Sequence, residues 1–231
     1  MFASKCMEYL IDTANLDTIQ HYCEFLPVSG VTSNPSIVKK EGKIDFFSHM
    51  RKIREIIGLE ATLHIQVTAQ DYDGMMADAK AILNHVDDQI YIKVPVTMAG
   101  IKAIKTLKSD HVNVTATAVY SKAQAFMALE AGADYIAPYY NRMEAMGIDA
   151  AAVLWDIAHI IERYQYPTKI LAASFKNVAQ IDAAILAGAQ AITSAPEIYA
   201  DALTGKIVKD AVDVFSADWS VNFGDQLISD L

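Results

Sequence analysis

The chain alternates eight short apolar runs with longer segments of helical periodicity, and this alternation restricts its possible folds more than any other feature. The runs are rich in the β-branched and aromatic residues that strands favour. They lie at Tyr9–Thr13, Val31–Asn34, Leu63–Thr68, Ile90–Pro95, Val112–Val119, Tyr135–Tyr139, Ile170–Ser174 and Ala191–Ser194. The amphipathic segments between them are Asp17–Phe25, Phe46–Ile57, Tyr72–Val86, Ala99–Leu107, Lys122–Ala131, Ala150–Arg163 and Val178–Leu186. Continuously apolar strands that alternate with helices are typical of a parallel sheet covered by helices.

Eight strand–helix repeats within 231 residues predict an α/β protein with one closed (β/α)₈ TIM barrel. An open sheet that binds a dinucleotide is less consistent with the sequence, because no Gly-x-Gly-x-x-Gly follows the first predicted strand. Gly132 and Gly188 each stand between a helix and a strand, where a C-terminal cap glycine belongs. We expect a single domain over residues 1–231, with the barrel at about 7–205 and an additional C-terminal helical tail at about 206–231.

The composition argues against several classes of partner. A net charge of −9 without a cluster of basic residues disfavours binding to nucleic acid or to an anionic membrane. No apolar run approaches the roughly 20 residues that span a bilayer, and the N-terminal residues lack the apolar segment of a secretory signal. Cys6 and Cys23 have neither metal-ligand nor disulfide spacing, so we expect two reduced thiols. The six histidines show no paired spacing, so we expect no metal site. Because neither a membrane span nor a secretory signal is evident, we expect a cytoplasmic protein.

Lys93 is the residue that points most directly to chemistry. It lies inside the apolar run Ile90–Val96, and no carboxylate is its neighbour in sequence. Because removing an ammonium from water costs several kcal/mol, a buried lysine tends to lose its proton. The neutral amine is then a nucleophile that can form a Schiff base with a carbonyl substrate. The alternative is a lysine near a strand end that extends its ammonium to solvent, and the strand alone leaves both open.

Polar side chains stand at or just beyond the ends of most of the other predicted strands. They are Asp12, Thr32, Asn34, Gln66, Thr117, Tyr139, Arg142 and Ser174. In a TIM barrel the carboxyl ends of the strands form the catalytic face. Each residue also has a structural explanation, since Asp12 or Ser174 could cap a helix and Asn34 could serve the turn before Pro35. The number of such residues around one lysine favours a functional site.

These residue types support Schiff-base chemistry on a ketone. An iminium on Lys93 would accept the electron pair of a carbon–carbon bond as that bond breaks. Asp12 is the carboxylate best suited to transfer a proton or to orient a hydroxyl. Tyr139 offers a phenol that can relay a proton, directly or through a water held by Gln66 and Thr117.

Arg142 is the cation just beyond a strand end that could bind a phosphate through two hydrogen bonds. Ser174 and nearby backbone N–H groups could assist it. The alternative for Arg142 is a solvated surface arginine with no role in binding.

Six segments, in order along the chain, resemble the small transaldolase family, and within it they are most similar to the fructose-6-phosphate aldolases. The segments are Ile11–Asn15, Gly30–Ser36, Ile92–Thr97, Thr117–Tyr120, Ala137–Arg142 and Ala172–Lys176. The similarity covers roughly residues 7–223. It implies a (β/α)₈ class I aldolase that needs neither a metal nor an organic cofactor.

The resemblance also implies a role for each candidate residue. It makes Lys93 the Schiff-base lysine and Asp12 the acid/base and hydroxyl-orienting carboxylate. The implied substrate-positioning residues are Thr32 and Asn34, the implied sugar-phosphate ligands are Arg142 and Ser174, and the implied holders of a catalytic water are Gln66, Thr117 and Tyr139.

Two positions bear on the reaction. Transaldolases carry a glutamate on the third strand and a phenylalanine on the sixth, whereas this chain has Gln66 and Tyr139. The resemblance therefore implies an aldolase that reversibly cleaves fructose 6-phosphate to dihydroxyacetone and glyceraldehyde 3-phosphate. The alternative is a transaldolase of the pentose phosphate pathway, which transfers the dihydroxyacetone unit between sugar phosphates. A third hypothesis is a non-catalytic barrel that binds sugar phosphates or serves as an assembly scaffold.

The chain departs from the family pattern in three places. About six residues precede the usual start, the last strand reads Ile192–Pro196 where an apolar Leu-Pro pair is more common, and the C-terminal tail differs. Family members assemble into pentamer-based rings through the terminal helix, so the resemblance implies a homo-oligomer, a pentamer or a decamer. Trp219, Phe223 and Leu227 in the tail agree with such a contact or with packing on their own barrel.

Overall fold

A computed structural model describes residues 7–231 and confirms the predicted TIM barrel. Eight parallel strands within this range pair in chain order, and the eighth closes the barrel on the first. The strands are β1 Glu8–Asp12, β2 Val28–Thr32, β3 Thr62–Gln66, β4 Tyr91–Pro95, β5 Val114–Val119, β6 Tyr135–Pro138, β7 Lys169–Ala172 and β8 Ala191–Ser194. The N-terminal extension and Cys6 lie outside the described residues.

Helices follow every strand, as the alternation in the sequence predicts. They are α1 Leu16–Phe25, α2 Pro35–Val38, α3 Phe46–Ile57, α4 Tyr72–His85, α5 Met98–Ser109, α6 Lys122–Glu130, α7 Tyr140–Ala145, α8 Ala150–Tyr164, α9 Val178–Leu186, α10 Pro196–Leu203 and α11 Lys206–Phe223. Short 3₁₀ segments occupy Lys39–Glu41 and Ile228–Asp230. The additional C-terminal helix is α11, and the bounds of α3 and α9 match the prediction.

Polar caps explain where most of these helices begin. Eight helices in the described chain start after a side chain that accepts a first-turn backbone N–H, a contact that stabilises a helix by about 1 kcal/mol. The caps are Asn15, Asn34, Asp45, Asp71, Thr97, Ser121, Asp149 and Asn177. Since Asn15 caps α1 and Asn177 caps α9, a helix-cap role for Asp12 or Ser174 is wrong. Gly132 (φ +88°) and Gly188 (φ +102°) follow α6 and α9 in the left-handed conformation expected of cap glycines.

The inner half of the barrel is filled by apolar and aromatic side chains from facing strands. Leu10 of β1 packs with Tyr135 of β6 and Leu171 of β7, and Tyr91 of β4 lies against this cluster. His64 of β3 stacks on Tyr91 with ring centroids 4.7 Å apart. Because side chains alternate along a strand, the inward direction of Tyr91 also sends the side chain two residues later, Lys93, into the barrel.

The described chain forms two compact units, one that ends at Pro196 and one over Glu197–Leu231. The single-domain organisation expected from the sequence stays a prediction. In the second unit, Trp219 stacks on Phe223 with centroids 4.3 Å apart, and its indole N–H donates to the Gln226 carbonyl oxygen at 2.7 Å. No helix within residues 7–231 combines the length and apolar character needed to cross a membrane.

Candidate active site

Lys93 lies in the middle of β4 with only 4% of its surface exposed. Its Nζ donates a hydrogen bond to the backbone carbonyl oxygen of Ser33 at 2.9 Å. The alternative in which its ammonium extends to solvent is therefore wrong. Burial lowers the pKa of the Lys93 amine because it disfavours the charged form, and the negative charge of Asp12 opposes this shift in part. The balance leaves an amine that deprotonates more readily than an exposed lysine.

Asp12 ends β1 beside this lysine and is half-buried at the mouth of the barrel. Its Oδ1 accepts a hydrogen bond from Thr32 Oγ1 at 2.5 Å. Desolvation raises the pKa of the Asp12 carboxyl, whereas the Lys93 charge, the Thr32 hydroxyl and the Lys40 charge lower it. The carboxyl can therefore hold or give up a proton nearer neutral pH than an exposed aspartate.

A second threonine, Thr193, extends the contacts of Asp12 and was missed by sequence reasoning. Its Oγ1 lies 2.7 Å from Thr32 Oγ1, and both threonines are buried. The apolar character of Ala191–Ser194 made Thr193 look like part of a core strand. Thr193 stands two residues after Ala191, which faces into the barrel, so the two side chains lie on the same face of the strand. This spacing is the signal that could have identified Thr193.

Tyr139 follows β6, and its phenol oxygen lies 3.0 Å from Thr117 Oγ1 of β5. Burial raises the pKa of the Tyr139 phenol, so the group keeps its proton at neutral pH. Gln66 of β3 pairs in register with Lys93. Its Oε1 is buried and has no hydrogen-bond partner among the described residues. Thr117 and Tyr139 are thus in direct contact, and Gln66 presents a buried acceptor on a strand next to that of the lysine.

Arg142 is exposed on α7, but other side chains hold its guanidinium in place. Its Nη1 donates to the Tyr120 phenol oxygen at 3.1 Å, and its Cζ lies 5.1 Å from the centroid of the Tyr139 ring. The Tyr120 and Tyr139 rings also meet edge to face at 5.5 Å. Tyr120 lies in the segment Thr117–Tyr120, which the resemblance covers, yet sequence reasoning gave it no role.

Ser174 and Asn34 are held at this face by backbone contacts. The carbonyl oxygen of Ser174 accepts from the N–H of Asn141, which precedes Arg142, at 2.9 Å. Ser174 adopts a left-handed conformation with φ +65°. The Oδ1 of Asn34 accepts from the N–H groups of Ser36 and Ile37 as the cap of α2, so its side-chain amide N–H groups are what it can offer a ligand.

The candidate residues therefore come together at the carboxyl ends of seven successive strands, which is where TIM barrels carry their active sites. Within residues 7–231 no three His, Cys, Asp or Glu side chains form a group that could bind a metal ion. The arrangement combines a buried amine, a carboxyl, a protonated phenol and an oriented guanidinium. Such a set can form an imine, move protons and bind an anionic group.

Comparison with known proteins agrees with this arrangement. The family model described as "Transaldolase/Fructose-6-phosphate aldolase" matches residues 9–225, a range that includes every candidate residue. A protein of Streptococcus pneumoniae (strain ATCC 700669 / Spain 23F-1), described as "Probable fructose-6-phosphate aldolase", is 50% identical over 215 residues. Those residues are 93% of this chain and 97% of that relative. On this evidence the chain belongs to the transaldolase/fructose-6-phosphate aldolase family.

Proposed function

We propose that the protein is a class I aldolase that reversibly cleaves fructose 6-phosphate to dihydroxyacetone and glyceraldehyde 3-phosphate through a Schiff base on Lys93. The observation that carries this proposal is the buried amine of Lys93, which has a lowered pKa and lies beside a carboxyl inside a barrel. The description of the Streptococcus pneumoniae relative supports the substrate. A neutral buried amine is the form that attacks a ketone.

The cleavage balances when the proton that Asp12 takes from the C4 hydroxyl is the one that returns, through Tyr139, to C3 of the enamine. The Nζ of Lys93 attacks C2 of the ketose, and loss of water from the carbinolamine gives an iminium. Asp12, as the carboxylate, takes the proton of the C4 hydroxyl while the C3–C4 bond breaks. The electron pair of that bond moves to the iminium and forms an enamine, and glyceraldehyde 3-phosphate leaves. A proton delivered to C3 through Tyr139, followed by addition of water at C2, releases dihydroxyacetone and restores the amine.

Tyr139 supports an aldolase over a transaldolase. Its phenol keeps its proton and contacts Thr117 at 3.0 Å, so it can protonate the enamine or pass a proton through a water near Gln66. In a transaldolase the enamine survives until a second aldehyde arrives. The transaldolase activity remains our second candidate, because the family includes both activities in its description.

Phosphate recognition falls to Arg142 and Ser174 in this proposal. The Tyr120 and Tyr139 rings restrict the Arg142 guanidinium, so less side-chain freedom is lost when it binds an anion. Asn34 would orient the substrate hydroxyls next to Asp12, and Thr32, whose buried hydroxyl donates to Asp12, would position the substrate through that carboxylate. We further propose a cytoplasmic homo-oligomer, a pentamer or a decamer, with the exposed apolar residues of α11 in its contacts.

Borohydride trapping tests the Schiff base. Reduction in the presence of dihydroxyacetone should add the reduced three-carbon unit to Lys93, located by peptide mass spectrometry. Lys93→Met should abolish the adduct, and Lys176→Met, which removes an exposed lysine after β7, should retain it. An adduct on another lysine would overturn the mechanism, and no adduct at all would favour a non-catalytic barrel.

Product analysis separates the two reactions. Fructose 6-phosphate without an acceptor should yield free dihydroxyacetone at a catalytic rate. Tyr139→Phe should slow this release by roughly a hundredfold, the lower range for loss of an acid–base group. It should retain transfer to erythrose 4-phosphate. Tyr140→Phe changes the neighbouring tyrosine, which packs on Phe175, and serves as the matched control. If Tyr139→Phe leaves the ratio of release to transfer unchanged, the proton-relay role of Tyr139 is wrong.

A further inference from the structure

Thr193 closes a buried chain of hydroxyls that ends on the catalytic carboxyl. The Thr193 and Thr32 Oγ1 atoms lie 2.7 Å apart, and Thr32 Oγ1 lies 2.5 Å from Asp12 Oδ1. Thr193 is 2% exposed and Thr32 is fully buried. We propose that Thr193 is a positioning residue for Asp12, because it fixes the Thr32 hydroxyl so that Thr32 donates to the ionised carboxylate. This inference rests on the proposed role of Asp12 as the base.

The chemistry of the groups fixes the direction of this chain. An ionised carboxylate can only accept a hydrogen bond, and a threonine hydroxyl has one proton to donate. Thr32 therefore donates its proton to Asp12, so the contact between the two hydroxyls must use the proton of Thr193. Thr32 is the hydrogen-bond partner that the described residues give the Thr193 side chain. A hydroxyl that accepts one hydrogen bond becomes a stronger donor in the next, so Thr193 strengthens the bond to Asp12.

The closed barrel makes this contact possible. Leu10 of β1 pairs with Thr193 of β8, and Asp12 pairs with Thr32 of β2. The strand that carries Asp12 is thus flanked by the two strands that carry the threonines. The Thr32 hydroxyl reaches Asp12 directly, while Thr193 reaches the carboxyl only through Thr32. A contact between β2 and β8 therefore supports a side chain on the strand between them.

Several charged and titratable groups act on Asp12 together with this chain. They are Lys93 of β4, Lys40 of the 3₁₀ segment and Tyr139 after β6. Both lysines favour the ionised carboxylate, as the Thr32 hydroxyl does, whereas burial opposes it. Loss of the Thr193 hydroxyl would weaken one of the few contacts that offset burial. The pKa of Asp12 should then rise, and the carboxylate needed as a base should be lost at a higher pH.

Thr193→Val tests this role, because valine keeps the shape of threonine and lacks the hydroxyl. We expect kcat/KM for fructose 6-phosphate to fall by up to about tenfold at neutral pH, in line with loss of one buried hydrogen bond between neutral groups. The acid limb of the pH–rate profile should move to higher pH. Thr193→Ser keeps the hydroxyl and should restore both the rate and the acid limb.

Ser194→Ala is the matched control, since it removes a buried hydroxyl from the adjacent residue, whose side chain points to the opposite face of β8. It should leave the acid limb in place. Thr193→Ala provides a second variant without the hydroxyl if the valine does not fold. A lower rate with an unmoved acid limb in the folded Thr193 variant would overturn the positioning role. Absence of a borohydride adduct on Lys93 in the unmodified protein would instead overturn the proposed function.

Discussion

At the scale of single residues, burial and one nearby charge act in opposite directions on Lys93. Burial lowers the pKa of its amine, and the Asp12 carboxylate raises it, with burial the larger effect. No carboxylate adjoins Lys93 in sequence, yet the fold brings one to it from β1. Because burial outweighs the charge of Asp12, the carboxylate can lie close enough to exchange protons with the substrate and still leave the amine able to lose its proton.

Asp12→Asn should show this balance directly. Without the carboxylate, the pKa of Lys93 should fall further, because the charge that favours its ammonium is gone. The pH at which borohydride trapping of dihydroxyacetone reaches half its maximal rate should therefore be lower in Asp12→Asn than in the unmodified protein. The position of this limb, measured by the yield of reduced adduct over short times, is the quantity to compare. An unchanged or higher midpoint would mean that Asp12 does not act on Lys93 as described.

Tyr120 offers a second test at this scale, because its phenol oxygen accepts the hydrogen bond from Arg142 at 3.1 Å. Tyr120→Phe should leave the guanidinium less well oriented and raise the KM for fructose 6-phosphate by roughly two- to tenfold, as expected for one lost hydrogen bond. The addition of dihydroxyacetone to unphosphorylated glyceraldehyde should keep its KM. Equal effects on the phosphorylated and unphosphorylated substrates would argue against a role for Tyr120 in phosphate binding.

At the scale of elements, the first turn of α5 packs tightly on the end of the strand that carries Lys93. A Cβ added to Gly100 would lie 1.9 Å from the Pro95 carbonyl oxygen and 3.1 Å from the Pro95 carbonyl carbon. Both atoms belong to the backbone, so they cannot move without displacing β4. The small residue in α5 therefore permits the close approach of helix and strand just beyond the lysine.

Gly100→Ala should destabilise the protein by about 1–3 kcal/mol, the usual cost of overpacking, as measured by urea unfolding. It should also slow adduct formation on Lys93, because the end of β4 must shift. Gly205→Ala is the matched control, since its Cβ would approach no atom closer than 4.0 Å. A Gly100→Ala protein with unchanged stability would show that β4 yields easily at this point.

Most elements could be predicted because each strand or long helix carries its own local pattern. The one-turn helix α2 and the short α7 were missed, since four to six residues are too few to show a helical period. The β2 strand begins at Val28, whereas the sequence predicted a start at Val31. The prediction began too late because Ser29 and Gly30 interrupt the apolar pattern. The contact between Thr32 and Thr193 was also beyond sequence reasoning. It joins residues 161 positions apart and exists only because the barrel closes.

At the scale of the whole molecule, positively charged side chains gather at the carboxyl end of the barrel although the protein as a whole is acidic. The net charge of −9 repels a sugar phosphate at long range, but salt screens this repulsion beyond about 10 Å. Lys40, Arg142 and Lys176 follow strands at the carboxyl end of the barrel. An anionic substrate therefore meets locally placed cations on an acidic protein.

The surface of α11 carries exposed apolar residues that bear on subunit assembly. Ile207, Val214 and Val221 recur every seven residues, so they lie along one side of the helix, and all three are exposed. Ion pairs of Lys206 with Asp210 and of Lys209 with Asp213 run along the same helix. An apolar stripe on a charged helix is the kind of surface that a subunit contact covers.

Sedimentation tests whether this stripe forms the contact in the pentamer or decamer proposed above. Replacing Val214 and Val221 together by serine should lower the measured mass, because the stripe loses its apolar area. Replacing Asp213 by asparagine, which leaves the stripe intact, should not change the mass. The site residues come from the barrel strands and their loops, so the serine variant should still form the borohydride adduct on Lys93. A smaller assembly that also lost the adduct would mean that the site depends on the neighbouring subunit, whereas an unchanged mass would remove α11 from the contact.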